Sequence, residues 1–402
     1  MMTTQVTTAP RWDFALCRAL LMKLLPGLKH GTLVLNDAGQ QWRFGEGQPQ
    51  VTLTVNHQRA WRALLFGGGI ALAELYRDGD VDCDDLTSLL TLFARNLEWL
   101  DQLEGRFGFV LGPWQTLKHR LRHNSKANAR KNIEAHYDLS NDFYKLFLDN
   151  GMVYSSAIWR ESDDLDQAQQ TKIARLCDQL ELSADDHLLE IGTGWGALAI
   201  YAAQTYGCRV TTTTISEAQY QEAKARVEAA GLSEQIELLR LDYRDLTGQY
   251  DKIVSVEMIE AVGERYLPGF FQTLEQRLKP GGKAALQAIT IADQRYESYR
   301  RGADFIQTYI FPGGFLPSVQ AMSGLVAEQT NMVIRDLTDI GLDYARTLTH
   351  WRERFEQALP QVRQLGFDDP FIRLWRYYFC YCEAGFLTRR VSTVQLTMEK
   401  AQ

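Results

Sequence analysis

A chain of 402 residues is longer than one ordinary domain and can bury two cores, so two domains are the default expectation. Its formal net charge of -7 argues against a nucleic-acid binder. No stretch approaches the roughly 18 apolar residues of a membrane span. The N-terminus also lacks the charged, apolar and cleavage regions of a secretory signal, so a cytoplasmic, non-spanning protein is expected.

In chain order, Trp12 to Leu25 has helical spacing, and Gly31 to Leu35 and Val51 to Val55 alternate like strands. Ala71 to Asp82 predicts a helix ending in a turn at Gly79. These belong to a smaller N-terminal α+β domain, residues 1–125. A basic island follows, Lys118-His119-Arg120-Leu121-Arg122-His123 with Lys126, Arg130 and Lys131. It reads either as a solvated linker or as a contact for anionic lipid. Cys17, Cys83, Cys177, Cys208, Cys380 and Cys382 show no CxxC and no paired histidine spacing, so neither a metal site nor a disulfide framework is suggested.

Beyond Ser183 the pattern becomes strand, helix, strand. Strands are predicted at Leu188–Ile191, Arg209–Thr214, Ile236–Leu239, Lys252–Val256 and Lys283–Ala288, with a surface helix over Ser216–Ala230 and a turn at Pro280-Gly281-Gly282. The fold class is therefore α/β, a Rossmann-like, doubly wound, mostly parallel sheet over residues 126–402. Ligand is expected at the carboxyl ends of its strands. Asp343 to Met398 reads as helical and aromatic-rich, its rings forming core or lining an acyl-chain tunnel.

The most informative stretch is Leu188-Leu189-Glu190-Ile191-Gly192-Thr193-Gly194-Trp195-Gly196, a strand running into a glycine-rich turn before a helix near Ala197. Glycines there let the backbone approach a ligand where a Cβ would clash. A pyrophosphate loop needs small residues and amides aimed at anionic oxygens, whereas Glu190 before the first glycine and Trp195 inside the loop suit a ligand without phosphate. The stretch resembles motif I of class I S-adenosylmethionine (SAM)-dependent methyltransferases, which places Glu190, Gly192, Gly194 and Gly196 against SAM.

Further segments resemble one family over nearly the whole chain, the cyclopropane-fatty-acyl-phospholipid synthases with their mycolic acid relatives. They are Ala135-His136-Tyr137-Asp138-Leu139-Ser140-Asn141-Asp142-Phe143-Tyr144, Met152-Val153-Tyr154-Ser155-Ser156-Ala157-Ile158-Trp159, Leu241-Asp242-Tyr243-Arg244-Asp245, Val254-Ser255-Val256-Glu257-Met258-Ile259-Glu260, Tyr309-Ile310-Phe311-Pro312-Gly313-Gly314 and Asp343-Tyr344-Ala345-Arg346. The resemblance implies transfer of the SAM methyl carbon to the double bond of an unsaturated acyl chain on a membrane phospholipid, through a carbocation, to give a cyclopropane. It implies that Tyr154, Ser155, Thr214, Gln219, Asp242 and Tyr243 join the glycines around SAM. It places Glu260, Tyr344, Ser156, Gln287 and Ile289 at the reacting centre.

In the family a bicarbonate ion, held by a cysteine, a histidine, the glutamate, the tyrosine and main-chain groups, removes the proton that closes the ring. Here the cysteine aligns with Ser156 and the histidine with Gln287, which cannot become cationic. Either bicarbonate binds more weakly, or the cation is resolved without a ring, to a methylene or, with a flavin or other reductase partner, a methyl branch. The resemblance also implies peripheral attachment to the inner face of the cell membrane, a homodimer, and a lipid-presenting role for the first domain.

Overall fold

The computed structural model describes residues 11–107 and 139–402. The described residues form two compact units: one holds those up to 107 together with Phe367–Ala384, the other holds 139–366 with Gly385–Gln402. The basic island, His136 and the start of its segment lie outside the described residues.

In the first unit, β1 (Gly31–Asp37), β2 (Gln40–Glu46), β3 (Gln50–Val55) and β4 (Val81–Cys83) form a sheet ordered β2-β1-β3-β4. β1 runs parallel to β3, and the outer pairs are antiparallel. The inward faces of β1 and β3 bury Leu33, Leu35, Val51 and Leu53. Helix Gly68–Arg77 ends before Gly79, as its sequence suggests. Phe367–Ala384 was expected in the catalytic region, but its packing ties it here. The Arg373 guanidinium lies 4.1 Å over the Tyr76 ring and pairs with Asp82 at 2.7 Å. Tyr377 meets the same ring at 6.0 Å.

The second unit is built on a seven-stranded sheet ordered β10-β11-β9-β8-β5-β6-β7. Its strands are β5 (His187–Ile191), β6 (Arg209–Thr213), β7 (Ile236–Leu239), β8 (Tyr250–Val256), β9 (Leu278–Ile291), β10 (Met332–Asp339) and β11 (Val391–Lys400). β5 to β9 pair in parallel, and β11 alone is antiparallel to its neighbours. Alternation puts Leu188, Val210 and Val254 on one face under helices Leu165–Leu180, Ala197–Tyr206 and Glu217–Ala229. Leu189, Ile191, Ile253 and Leu286 face Leu267–Arg277 and Val319–Gln329 on the other. A sheet buried on both faces needs the continuous Val, Ile, Leu and Thr runs that the sequence supplies.

Two expectations are corrected. Pro280-Gly281-Gly282 does not precede β9 but lies within it, as a bulge. Tyr250 pairs with Leu278 and Lys252 with Lys283, so four residues of β9 oppose one of β8, with Gly281 at φ 72° absorbing the excess. The C-terminal stretch is not helical to Met398: after helix Asp369–Leu387 the chain becomes β11, inserted between β9 and β10.

The sheet order reverses at β5, which has β8 on one side and β6 on the other. Loops leave the carboxyl ends of β5 and β8 toward opposite faces there, and a doubly wound sheet binds its ligand at such a switch point.

Candidate active site

The turn after β5 lies at this switch point. Gly192, Gly194 and Gly196 have φ of 105°, 53° and 89°. Gly192 and Thr193 donate to the Thr213 carbonyl, fastening the turn to β6. A Cβ on Gly192 would stand 3.3 Å from that of Met258, whereas at Gly194 nothing lies within 4 Å, so the backbone is open to a ligand. Glu190 is 3% exposed and accepts from the Thr212 hydroxyl at 2.6 Å; burial pushes its carboxyl up to about 8. Thr214 donates to the Gln219 side-chain carbonyl, and Ser216 caps the helix that carries Gln219. These features fit a ligand without phosphate, such as SAM.

Other residues expected at the cofactor do structural work as well. Asp242 caps the turn Tyr243–Asp245 and forms a two-point pair with Arg244, and the Tyr243 ring packs edge-on against Phe270. Asp149 accepts from the Gly151 and Val153 amides, which holds Met152 at φ 58° and positions Tyr154, two residues on, among other rings. The Tyr154 ring lies 5.3 Å from those of Tyr144 and Trp351 and 6.3 Å from Phe311. Trp195 of the glycine turn joins this group through Tyr144, at 5.3 Å. Tyr344 meets Trp351 edge-on at 5.9 Å and stacks on Phe386 at 4.6 Å.

The five residues expected at the reacting centre converge, but around a group with no assigned role, Glu257. Its Oε1 accepts from the Ser156 amide and from Gln287 Nε2, both at 2.9 Å, and its Oε2 accepts from the Tyr344 hydroxyl at 2.9 Å. Ile289 donates its amide to the other carboxylate, Glu260 Oε1, at 2.5 Å. The Ser156 hydroxyl turns away to the Ala157 carbonyl. The donors expected to hold bicarbonate are thus engaged by two side chains of the protein.

The two carboxyls differ in environment. Glu260 is pushed up to about 8, first by burial and then by the Glu257 charge, which favours its neutral form. Its Oε2 is buried without a hydrogen-bond partner among the described residues. Glu257 is also raised by burial, but Gln287, Ser156, Lys172 and Tyr344 all act to hold it ionised. Lys172, missed in the sequence, is 1% exposed and donates to the Ser155 hydroxyl at 2.7 Å. Burial lowers its ammonium to about 8 against the pull of Glu257, Asp149 and Glu190. Its position was legible: on helix Leu165–Leu180 it shares the inward row of Leu165, Ala168 and Leu176.

Such a site can present a flat apolar segment to an electrophile, keep water out, and surround a developing cation with ring faces and one carboxylate. Residues 124–396 match the family described as mycolic acid cyclopropane synthetase. The tuberculostearic acid methyltransferase UfaA1 of Mycobacterium tuberculosis is 42% identical over 82% of this chain and 79% of its own length. The cyclopropane-fatty-acyl-phospholipid synthase of Escherichia coli is 34% identical over 88% and 89%. The mycolic acid cyclopropane synthase CmaA1, solved with S-adenosylhomocysteine, superposes with a TM-score of 0.63 at 28% identity, covering 67% of this chain and 98% of that one. Family match, relatives and the glycine turn agree: this chain belongs to the mycolic acid cyclopropane synthetase family and is a SAM-dependent methyltransferase of the cyclopropane synthase type.

Proposed function

We propose that the protein adds the SAM methyl carbon to the double bond of an unsaturated fatty acyl chain on a membrane phospholipid and closes it to a cyclopropane by loss of a proton from that carbon. The observation that carries this reading is the placement of two buried carboxyls and a set of aromatic faces beside the glycine turn. SAM supplies an electrophilic methyl group on a sulfonium.

An alkene is a weak nucleophile, so most of the rate must come from alignment and exclusion of water. Tyr154, Trp351, Tyr344 and Phe386 offer ring faces to the cation that methyl transfer leaves on the chain. Burial and the Glu257 charge favour a neutral Glu260, a polar wall without a second full charge, and the Glu257 carboxylate, which accepts from Ser156, Gln287 and Tyr344, stabilises the cation. The phospholipid substrate is supported by the E. coli relative.

A second reading, favoured by the 42% identity to a protein named a methyltransferase, has a hydride shift precede proton loss, leaving a methylene group that a reductase partner converts to a methyl branch. Peripheral attachment of the basic island Lys118–Lys131 to anionic lipid is part of the proposal. Charge reversal at Arg120, Arg122 and Lys126 is expected to weaken vesicle binding in a salt-dependent way; unchanged binding would exclude it.

Purified protein with SAM and mono-unsaturated phospholipid vesicles tests the chemistry, by mass spectrometry and olefinic NMR of the acyl chains. Gain of one CH2 with loss of the olefinic signal supports the ring. The same gain with an alkene retained supports the second reading, and no gain overturns both.

A further inference from the structure

We propose that Glu257 is the built-in base of this enzyme, a side-chain carboxylate seated where the resemblance places a bicarbonate ion, and that a one-way chain of donors from Arg175 holds it in the accepting state. The proposal rests on the reading that an acyl-chain cation must lose a proton.

The geometry begins with the backbone. Glu257 follows β8 at φ 48°, a left-handed conformation that is strained for a residue with a Cβ. Its amide donates to the Gln287 carbonyl at 2.8 Å, so β9 holds the strained residue in place. The side chain meets the Ser156 amide, the Gln287 amide and the Tyr344 hydroxyl. Three of the residues expected to hold bicarbonate therefore donate to one carboxylate of the chain, Ser156 through its amide rather than its hydroxyl.

The orientation of Gln287 is decided by its neighbours. Arginine can only donate. Arg175 Nε donates to Gln395 Oε1 at 2.8 Å, which turns Gln395 Nε2 toward Gln287 Oε1 at 3.0 Å. Gln287 must then face Glu257 and the Ser156 carbonyl with its NH2 group. Gln287 and Gln395 are both fully buried, so solvent does not compete for either amide. A cationic histidine is unnecessary, because an amide locked as a donor performs the same task and Lys172 supplies the positive charge nearby.

The lone pairs locate the reacting atom. Oε1 of Glu257 receives two donors and Oε2 receives one, so Oε2 keeps a lone pair for the proton. The C–H pair of the transferred methyl group becomes the new carbon–carbon bond, to the neighbouring cationic carbon for a ring or as an alkene after a hydride shift. The proton goes to Oε2, giving a neutral carboxylic acid. No further reactant is consumed.

The test uses the full-length protein, SAM and mono-unsaturated phospholipid vesicles in carbonate-free buffer and with added bicarbonate. Wild-type turnover is expected in both buffers at rates within about twofold. No wild-type turnover in either buffer overturns the functional reading, and this proposal with it. Turnover only with bicarbonate overturns this proposal alone. Glu257→Gln is expected to bind SAM normally by calorimetry and to lose about a hundredfold or more in turnover. Glu257→Gly, which suits the backbone, is expected to lose as much and to recover at least tenfold on adding bicarbonate, whose ion then fits the emptied pocket. Wild-type rates in Glu257→Gln overturn the proposal.

Gln395→Glu tests the positioning chain. It can still pair with Arg175, but its carboxylate draws the Gln287 NH2 group away from Glu257. With Lys172, Glu260 and Tyr344 unchanged around Glu257, the acid limb of the pH–rate profile should move upward by about one pH unit. An unmoved profile rules out the Arg175 chain.

Discussion

Replacing Tyr344 with phenylalanine isolates one hydrogen bond. The ring keeps its stack on Phe386 and its edge contact with Trp351, and the donor to Glu257 Oε2 at 2.9 Å is lost. A hydrogen bond to a charged group is worth about 1.5–3 kcal/mol. At 1.36 kcal/mol per pH unit that is a rise of about one to two units in the Glu257 pKa. The sign follows from which form is favoured: Tyr344 donates to the carboxylate, so its loss favours the acid, on top of the upward push of burial. Labelled methyl transfer to vesicles measured from pH 5.5 to 9.5 should show the acid limb of kcat/KM displaced to higher pH, with about tenfold or greater loss at neutrality and recovery at alkaline pH. Superimposed profiles, or an equal loss at every pH, would refute the assignment of Tyr344 as a donor to the base.

Three further outcomes follow from the same contacts. Gly192→Ala puts a Cβ 3.3 Å from Met258 at φ 105°, and SAM affinity measured by calorimetry should fall by about tenfold or more. Glu190→Gln should change the pH dependence of stability in chemical denaturation. The raised carboxyl binds a proton in the folded state that the unfolded chain releases above about 4.5, so wild-type stability falls from about pH 4.5 to 8, by about 3 kcal/mol at pH 7, and the variant escapes that loss. Trp351→Leu empties a fully buried site against Tyr154, Phe147 and Tyr344 and should cost about 3 kcal/mol or more, read as a lower urea midpoint at unchanged slope.

The parallel half of the catalytic sheet was legible because its strands are buried on both faces, so Val210–Thr213 is β-branched throughout and Leu188–Ile191 is apolar but for Glu190. The flanking strands were harder. β10 lies at the sheet edge with most of its side chains exposed or half-exposed, which removes the apolar signal. β11 alternates only from Val394 to Met398, buries polar Thr393, Gln395 and Thr397 along with its apolar residues, and follows directly on an aromatic helix. Glu260, Tyr344, Ser156 and Gln287 were found by resemblance. Glu257 was not, although it stands three residues before Glu260, because nothing in a linear pattern shows that Ser156, Gln287 and Tyr344 meet at its carboxylate across more than 85 residues on one side and 100 on the other. Lys172 carries the same lesson: a lysine on a helix reads as solvated unless its inward row is counted.

The most direct test of the central claim is the fate of the transferred carbon. With SAM carrying a fully deuterated methyl group and mono-unsaturated phospholipid vesicles, a carbon added to the alkene and then deprotonated by the enzyme must retain two deuteriums in the acyl product. Mass spectrometry showing two deuteriums on the chain agrees with methyl transfer to the double bond followed by loss of a proton from that methyl. Retention of all three deuteriums, or label absent from the acyl chain, would contradict it.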